Sequence, residues 1–290
     1  MVEHLDIDKQ TGIRQQWEAL LSSAGLQADP PYSSVHGIFE NGRLVATGAR
    51  DGNRLKCIAI DPGHRGGSLF SQLMTGIIAH AFDLGIGKLY LYAKPEAVAA
   101  FASAGFLSLA VAPGGVTFME RGRPSFADYL ARLEETRDRY DGEHGRAGGP
   151  VESIVIEGDV LTSAERALIE KAAGHAKRVH LFIMGDEKAL ERIRRETDDL
   201  TGLIHHPAEG YFIPPALFPA YFLPDRSDRI RTQASLDALL FRNRIAPKLE
   251  ITDRTVLDDP TDPLKSLYNE TLRAFFLGEP RLNRVLPGQR

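Results

Sequence analysis

Residues 60–85, IDPGHRGGSLFSQLMTGIIAHAFDLG, decide the fold of the first half of the chain. This stretch joins the end of an apolar strand to a glycine-rich turn and then to a long helix with apolar residues at helical spacing. Glycines between a strand and a helix N-terminus allow close backbone approach and leave several N–H groups pointing outward. The turn Arg65-Gly66-Gly67-Ser68-Leu69 therefore predicts a site for a phosphate or pyrophosphate.

The segments on either side of this stretch predict a mixed α/β domain. Upstream, a helix near 12–24 precedes three alternating apolar runs in residues 33–60, which Asn41-Gly42 and Asp51-Gly52 separate. These dipeptides reach the positive φ angles of two-residue hairpin turns, so we expect a three-stranded antiparallel meander. Downstream, KLYLYAK (88–94) is typical of a strand, and PEAVAAFASAGF (95–106) is typical of a short helix.

Composition limits the classes of function. The chain has 290 residues, a net charge of −4, a hydrophobic fraction of 43% and one cysteine, Cys57. The charge balance gives no attraction for nucleic acid or an anionic membrane, and no leader or apolar run near 20 residues is present. Cys57 lies in an apolar run and is interpreted as a small core residue rather than a nucleophile. We expect a cytoplasmic protein that binds neither nucleic acid nor membrane.

A change near residue 140 from periodic apolar segments to a glycine-rich and charged segment predicts two domains. The segment 125–139 has Phe126, Tyr129, Leu130 and Leu133 at helical spacing, and this helix is expected to close the first domain. The following residues are rich in glycine and charge and end in proline, which is typical of a linker. The predicted organisation is a first domain over 1–140, a linker over 141–150 and a second domain over 151–290.

The second domain alternates strands and helices. Strands are predicted at 152–158, 178–184, 202–207 and 251–257, and helices at 163–174, 186–196, around 215–223, 233–247 and 263–277. Strands separated by helices of this length favour right-handed crossovers and a parallel sheet. Ligands of such sheets bind at the carboxyl ends of the strands, which is where EGDVLTSAE (157–165) begins.

The order of elements in the first domain resembles the GNAT acyltransferases. In that family the glycine turn holds the pyrophosphate of acetyl-CoA, so the resemblance implies a site for acetyl-CoA or CoA. The residues that it implies are Ile58, Ile60, Arg65, Gly66, Gly67, Ser68 and Leu69. Ser68 stands where the family has its central glycine, and Phe101 stands where many members have a tyrosine that protonates the leaving thiolate. A phenyl ring cannot be a general acid, so Phe101 is interpreted as a core aromatic.

Most of the chain, from about 35 to 277, resembles the citrate lyase ligases, above all in GYFIPPALFPAYFLPD (210–225) and FRNRIAPKLEIT (241–252). This resemblance implies a GNAT-like domain followed by a Rossmann-like nucleotidyltransferase domain. It also implies an enzyme that activates acetate with ATP and Mg²⁺, releasing pyrophosphate and then AMP. The acetyl group is then placed on the thiol of a phosphopantetheine-type prosthetic group, so citrate lyase or a related acyl-carrier subunit is the implied partner.

The nucleotide motif of that family is altered here. The family has Asn-Pro-Phe-Thr-x-Gly-His after its first strand, whereas this chain has Asp159 to Glu165. Asp159 and Thr162 remain as candidate nucleotide contacts, Glu165 replaces the histidine, and no catalytic residue is assigned. The favoured interpretation of Thr162-Ser163-Ala164-Glu165 is a capping box that starts a helix.

The end of the printed sequence also differs from the family pattern. EPRLNRVLPGQR (279–290) has no match to the family's Ile-Ser-x-Ser-x-Val-Arg stretch, which completes the nucleotide site. Arg281, Arg284 and Arg290 are interpreted as solvated rather than as phosphate ligands.

Two other groups of residues are interpreted as structural rather than functional. His205-His206 lacks a third ligand, so we predict no metal site and expect surface or hydrogen-bonded histidines. The aromatic residues near 210–225 are expected to form a core layer or a domain contact rather than a substrate pocket: Tyr211, Phe212, Phe218, Tyr221 and Phe222.

Three functions stay open at this point. The first is an ATP-dependent ligase of the citrate lyase ligase type, acting on the lyase thiol. The second is a CoA-dependent GNAT acyltransferase or an acyl-CoA-binding module that uses Arg65 to Leu69. The third is a non-catalytic partner of a lyase complex.

Overall fold

The structure is a computed structural model that describes residues 1–145, 148–212, 218–259 and 261–286. Contacts within the chain define two compact units. The first contains Met1–Phe126 and Pro219–Arg229, and the second contains Ala127–Phe218 and Ile230–Arg290. Among the described helices, none is both long and apolar enough to cross a bilayer.

The first unit is built on a seven-stranded sheet in the order β1-β2-β3-β4-β5-β7-β6. Its strands are β1 Glu3–His4, β2 Ser34–Glu40, β3 Arg43–Asp51, β4 Arg54–Ile60, β5 Lys88–Ala93, β6 Leu107–Val111 and β7 Thr117–Gly122, and its helices are α1 Thr11–Ser23, α2 Leu69–Asp83 and α3 Val98–Ser103. The predicted meander is confirmed, because β2, β3 and β4 pair antiparallel in sequence order.

The two predicted hairpin turns have different outcomes. In the first, Asn41 and Gly42 are the central residues, with φ of 51° and 78°, as expected for a type I′ turn. In the second, Asp51 still pairs with Arg54, so the central residues are Gly52 and Asn53 rather than Asp51 and Gly52. The prediction was wrong by one residue, because one glycine at positive φ in the first turn position is enough for a type II′ turn.

The sheet of the first unit is covered on both faces. On one face, α2 packs Leu73, Met74 and Ile77 against strand residues. On the other, α1 packs Trp17 and Leu21 in a separate apolar cluster, which also contains the fully buried Cys57. The interpretation of Cys57 as a core residue is confirmed, and burial raises the pKa of its thiol to about 12.

The second unit contains a five-stranded parallel sheet in the order β10-β9-β8-β11-β12. Its strands are β8 Val151–Glu157, β9 Arg178–Met184, β10 Leu203–Pro207, β11 Asp253–Leu257 and β12 Arg281–Val285. The helices are α4 Phe126–His144, α5 Ser163–His175, α6 Glu187–Glu196, α7 Arg226–Leu240, α8 Ala246–Leu249 and α9 Pro263–Phe275, where α4 and α7 each begin in the first unit. The predicted parallel sheet is confirmed, and the order of its strands reverses beside β8.

Two predicted helices in this half of the chain were placed wrongly. The helix expected at 215–223 is absent over 218–223, and residues 215–217 lie outside the described residues. The helix expected at 233–247 begins at Arg226, and a π-helical turn at Phe241–Ile245 interrupts it. Pro219 and Pro224 restrict the backbone before Arg226, so the apolar residues between them form an irregular segment despite their spacing.

Helix α4 is longer than predicted and packs with the second unit. It continues to His144, which is within the segment predicted as a linker, and Arg146 and Ala147 of that linker lie outside the described residues. Tyr129 donates a hydrogen bond to the carbonyl of Pro207 at 3.0 Å, and Arg132 pairs with Glu209 at 2.8 Å. Periodicity identifies the buried face of a helix but not the neighbour that buries it, so the sequence placed α4 at the end of the first domain.

Candidate functional site

A cavity of about 520 Å³ in the first unit lies between β4 and β5. Within the described chain these two parallel strands pair only at Arg54 and Tyr90, so they diverge toward their carboxyl ends. The cavity is lined by residues from β4, the glycine turn, β5, α3 and the loop after α1: Leu55, Ile58, Ala59, Ile60, His64, Arg65, Gly66, Gly67, Phe70, Leu91, Tyr92, Ala93, Lys94, Glu96, Ala97, Ala100, Phe101, Ala24 and Leu26.

The glycine turn closes one end of this cavity. Asp61 caps a short 3₁₀ turn by accepting the N–H of Gly63 at 2.9 Å. The ionised form of Asp61 is stabilised by His64, by this N–H group and by Arg43, so its pKa is lowered. Gly66 has a φ of 83°, which a residue with a Cβ adopts only with strain. The turn therefore depends on glycine and presents exposed backbone directly before α2.

The structure brings five of the seven candidate CoA residues to the cavity. These are Ile58, Ile60, Arg65, Gly66 and Gly67. The other two serve the helix that follows: the hydroxyl of Ser68 accepts a hydrogen bond from Gln72 at 2.7 Å, and Leu69 packs in the α2 core. The first two residues after the glycines thus build the start of α2.

Phe101 forms part of the cavity wall and is 7% exposed. Its ring contacts Phe70 and Phe106 edge to face, with centroid distances of 5.5 and 6.1 Å. The interpretation as a core aromatic is therefore confirmed, although the same ring also faces the cavity. No hydroxyl stands at this point of the wall.

Residues Pro219–Arg229, which we call the strap, complete the wall of the cavity with Tyr221 and Phe222. Three hydrogen bonds join backbone atoms of the strap to Gln27 and Asp29 in the loop after α1. Tyr221 O accepts the Gln27 N–H at 2.9 Å, Ala220 O accepts from Gln27 Nε2 at 3.0 Å, and the Ala220 N–H donates to Asp29 Oδ2 at 3.2 Å. Tyr221 also donates its hydroxyl to the carbonyl of Tyr92 at 3.1 Å.

The expectation that the aromatics of this region are core residues is confirmed for Tyr221, which is 5% exposed and belongs to the same apolar cluster as Trp17, and for Phe222, which packs against that cluster. Both side chains also line the cavity, which the sequence did not predict. Tyr211 packs on Tyr129 and Phe212 on Phe182 within the second unit. Sequence reasoning missed the cavity position of Tyr221 and Phe222 because about 120 residues separate them from the rest of the wall. The available signal was the pair of prolines that flank Ala220–Leu223 and prevent a helix.

The second candidate site is the carboxyl edge of the parallel sheet, where β8 leads into α5. Thr162 and Glu165 form the predicted capping box, which is confirmed. The Thr162 hydroxyl accepts the Glu165 N–H at 3.2 Å, and the Glu165 carboxylate accepts the Thr162 N–H at 2.9 Å and its hydroxyl at 2.6 Å. The carboxylate of Glu165 thus takes the anion position at this helix N-terminus.

Two more helix N-termini of this unit are capped in the same way. Asp186 accepts the N–H of Ala189 at 2.9 Å at the start of α6. Asp262 accepts the N–H groups of Leu264 and Lys265 at 2.9 and 3.2 Å at the start of α9. Helix N-termini attract anions through these same N–H groups, and at α6 and α9 an internal carboxylate binds them. At α5 the Thr162 hydroxyl binds the Glu165 N–H, and the Glu165 carboxylate binds the N–H of Thr162.

The arginines near this edge also have internal partners. Arg281 is bidentate to Asp253 at 2.9 Å, and Arg284 pairs with Asp258. Burial works against ionisation of Asp253, but the hydrogen bonds from Arg281 and others leave its pKa lowered. Both arginines therefore have internal partners, but the Arg281 side chain is also 63% exposed, which agrees with its interpretation as solvated, and Arg290 lies outside the described residues. The remaining nucleotide candidate, Asp159, is exposed, and its carbonyl accepts Arg192 at 2.9 Å.

The histidine pair of β10 is buried or hydrogen-bonded. The His206 Nε2 lies 2.8 Å from Nδ1 of His180, and His205 Nε2 lies 2.8 Å from the Thr197 hydroxyl. In the part of the chain that the structure describes, no group of three or more His, Cys, Asp or Glu residues is arranged to hold a metal ion.

We expect the double substitution Glu165→His with Ala164→Gly, which restores the family residues, to lower the free energy of unfolding by about 1 kcal/mol because it removes half of the capping box. Urea unfolding followed by circular dichroism measures this change. Glu165→Gln is the matched control, since glutamine can occupy the same capping position without charge. A double variant as stable as the parent would contradict the capping role.

Comparison with known proteins agrees with both halves of this description. Residues 151–284 match the profile of the citrate lyase ligase C-terminal domain, and residues 3–106 match that of the GNAT acetyltransferase family. The chain is 34% identical over 239 residues to the citrate (pro-3S)-lyase ligase of Klebsiella pneumoniae, covering 80% of this chain and 68% of that protein. It is 31% identical over 262 residues to the Haemophilus influenzae protein of the same name, covering 87% and 76%.

Among solved structures, Escherichia coli ElaA aligns with 42% of this chain and 98% of its own, at 15% identity and a TM-score of 0.35. The two ligase relatives extend across both units, and their identity and coverage define the family. The chain belongs to the citrate lyase ligase family.

Proposed function

We propose that this protein acts in the cytoplasm on the thiol of a pantetheine-type prosthetic group of a citrate lyase acyl-carrier subunit, which it acetylates. The cavity of the first unit is the observation that carries this proposal. It is a gap between two diverging strands that ends at a glycine turn and the N-terminus of α2. The relatives are named as ligases of a lyase, which supports the choice of partner.

The shape and chemistry of the gap suit a pantetheine arm. Such an arm is a narrow chain with two amide groups, and the facing edges of β4 and β5 do not pair with each other beyond Arg54 and Tyr90. Backbone N–H and C=O groups at a strand edge bind extended chains in the same way that they bind another strand. The phosphates at the end of the arm would lie at Arg65 to Gly67, where exposed backbone, a cation and the positive end of α2 coincide.

ATP with Mg²⁺, which the family resemblance implies, does not fit the described residues of the second unit. A phosphate at the start of α5 would meet the Glu165 carboxylate, which already binds the Thr162 N–H. A unit like-charge contact at about 4 Å with an effective dielectric of about 20 costs roughly 4 kcal/mol. The capping carboxylates of α6 and α9 present the same obstacle.

Acyl transfer from acetyl-CoA to an amine is the second candidate function, and the same cavity favours it. The residue Phe101 opposes it, because the wall has no hydroxyl at the position where the GNAT resemblance implies a general acid. Loss of a positioned acid reduces a rate by about 10²–10⁴-fold. Thiol acetylation is therefore the better-supported proposal.

The variant Arg65→Glu is expected to weaken the binding of CoA by about tenfold to a hundredfold. Hydrogen bonds to charged groups contribute about 1.5–3 kcal/mol, and 1.4 kcal/mol corresponds to a factor of ten in affinity. Isothermal titration calorimetry with CoA measures the dissociation constant, and the difference should shrink at high salt because Arg65 is exposed. Arg139→Gln, at an exposed position on α4, is the matched control. Equal affinity for CoA in Arg65→Glu and the parent would contradict the phosphate position.

A further inference from the structure

We infer that this chain does not activate acetate, and that it transfers an acetyl group that arrives already joined to a CoA-type thiol as a thioester. The inference rests on the proposed thiol-acetylating function and specifies its donor. A reaction that forms an acyl thioester must then precede this protein, since the described residues of the chain do not fit the nucleotide that would activate the acid.

The first observation in support is that carboxylates of the chain lie at the helix N-termini where the phosphates of ATP would bind. At the switch point of the parallel sheet, α5 follows β8 and α9 follows β11. The Glu165 carboxylate accepts the N–H of Thr162 at the start of α5, and the Asp262 carboxylate accepts the N–H groups of Leu264 and Lys265 at the start of α9. A triphosphate at a helix N-terminus would bind through those N–H groups. Glu165 and Asp262 already place a carboxylate on N–H groups at the starts of α5 and α9.

The second observation in support is that the nearby arginines already pair with aspartates of the chain. Arg281 and Arg284 of β12 pair with Asp253 and Asp258, and the guanidinium of Arg254 on β11 is bidentate to Asp237 at 2.7 and 3.2 Å. A phosphate that took any of these arginines would leave an aspartate that is at most 6% exposed with hydrogen bonds from neutral side chains alone, such as Asn283 for Asp253 and Asn269 for Asp258. The cost of that exchange favours the internal pairs.

The third support is that the cavity of the first unit is lined from both faces of the sheet. Leu91 and Ala93 of β5 belong to the α2 core together with Phe101. Tyr92, between them, points to the opposite face, where it stacks on Phe118 at 5.1 Å and its carbonyl accepts the strap residue Tyr221. One thiol arm beside the glycine turn and a second beside the strap would meet in the gap between β4 and β5.

The absence of an acid at Phe101 suits thiol-to-thiol transfer. The acceptor thiolate attacks the thioester carbon, a new C–S bond forms, the donor C–S bond breaks, and its electron pair leaves on the donor sulfur. The proton that the acceptor thiol gives up is balanced by the one that the released thiolate takes up from water. Because the leaving and attacking thiols both end a pantetheine arm and so have matching pKa values, the leaving group needs no assistance from a protonated side chain.

The test compares two donors with the full chain. In the first reaction the probes are acetyl-CoA, labelled in the acetyl group, and 4′-phosphopantetheine as the acceptor thiol, without ATP. In the second they are labelled acetate, Mg–ATP and the same acceptor, and exchange of labelled pyrophosphate into ATP is followed in parallel. We expect transfer in the first reaction at least a hundredfold above the rate without protein, and no acetate-dependent exchange in the second.

Two variants of residues that line the cavity test whether the acetyl transfer takes place there. Arg65→Glu and Ala100→Leu, at the glycine turn and on α3, should each reduce the first rate at least tenfold, while Arg139→Gln leaves it unchanged. Circular dichroism verifies that each variant is folded. Two different positions keep the test valid if one variant fails to fold.

The outcomes separate the inference from the proposed function. Acetate-dependent exchange or AMP formation would overturn the inference and leave thiol acetylation standing. Binding of CoA without transfer from acetyl-CoA would also overturn the inference, leaving recognition of the pantetheine arm. Failure to bind CoA, measured by calorimetry, would overturn the proposed function itself.

Discussion

Replacing Asp237 with alanine is expected to lower the free energy of unfolding by about 3–5 kcal/mol. Asp237 on α7 accepts both guanidinium nitrogens of Arg254 and the hydroxyl of Tyr268, and both charged side chains are 3% exposed. Burial alone would lower the pKa of Arg254, but Asp237 and Tyr268 leave it raised. Without the aspartate, an ionised guanidinium would remain in the core beside Phe241, 4.6 Å from the ring centre.

The control for Asp237→Ala is the double variant Asp237→Leu with Arg254→Met. Replacing a buried ion pair by apolar residues of similar volume is often neutral or stabilising. Urea unfolding followed by circular dichroism should therefore show at least half of the lost stability restored in the double variant. A loss below about 1 kcal/mol in Asp237→Ala would show that Arg254 does not stay buried and charged.

Acidification is expected to unfold the protein well above the pKa range of its carboxylates, because several buried histidines are neutral in the folded state. Burial is the main cause that lowers the pKa of His36 and His205 to about 4 and that of His206 to about 3. A histidine in an unfolded chain has a pKa of about 6.5. Each of the three therefore contributes stability above pH 6.5 that is lost as the pH falls toward its folded pKa.

The expected size of this pH effect follows from linkage. Each histidine removes about 1.4 kcal/mol of stability per pH unit below 6.5, so the three together remove roughly 8 kcal/mol between pH 6.5 and 4.5. His175 acts in the opposite direction, because a hydrogen bond to the Lys171 carbonyl and the charge of Glu152 raise its pKa. Its protonated form is favoured by folding, which offsets a small part of the loss.

Urea unfolding at pH 7, 6 and 5 tests this dependence, with circular dichroism for the whole chain and fluorescence of the single tryptophan, Trp17, for the first unit. His205→Gln should reduce the slope by about one third. His144→Gln, at an exposed position on α4, is the matched control. A stability that is the same at pH 7 and pH 5 would show that these histidines are not buried as described.

Local sequence signals predicted the elements whose partners are close in the chain. Asn41-Gly42 specifies its hairpin, because two adjacent residues at positive φ fix the register of β2 and β3. The capping box is equally local, since Thr162 and Glu165 satisfy each other within one helical turn. The alternation of strands and helices after residue 150 predicts the parallel sheet for a different reason: helical crossovers of this length favour parallel pairing even where the partners are distant, as for Glu152 and Asp253 of β8 and β11.

Features that depend on distant partners were not readable from local patterns. The sequence did not predict β12, because its RLNRV run has no strong apolar alternation and forms a strand only by pairing with β11. The local sequence around Tyr221 and Phe222 does not indicate whether these side chains line the cavity or pack only in a core. The cavity combines both kinds of feature. The anion-binding geometry of the glycine turn follows from its local sequence, whereas the divergence of β4 and β5 beside it depends on packing with residues that are distant in the chain.

The strap also affects the order in which the protein is completed during synthesis. All other residues of the first unit end at Phe126, whereas the strap begins at Pro219. At a synthesis rate of about 5–20 residues per second, the strap follows the rest of its unit by roughly 5–20 s. During that interval the cavity of the nascent first unit lacks the wall that the strap provides. A ribosome-bound chaperone or a free pantetheine compound would therefore reach the open cavity before the strap closes it.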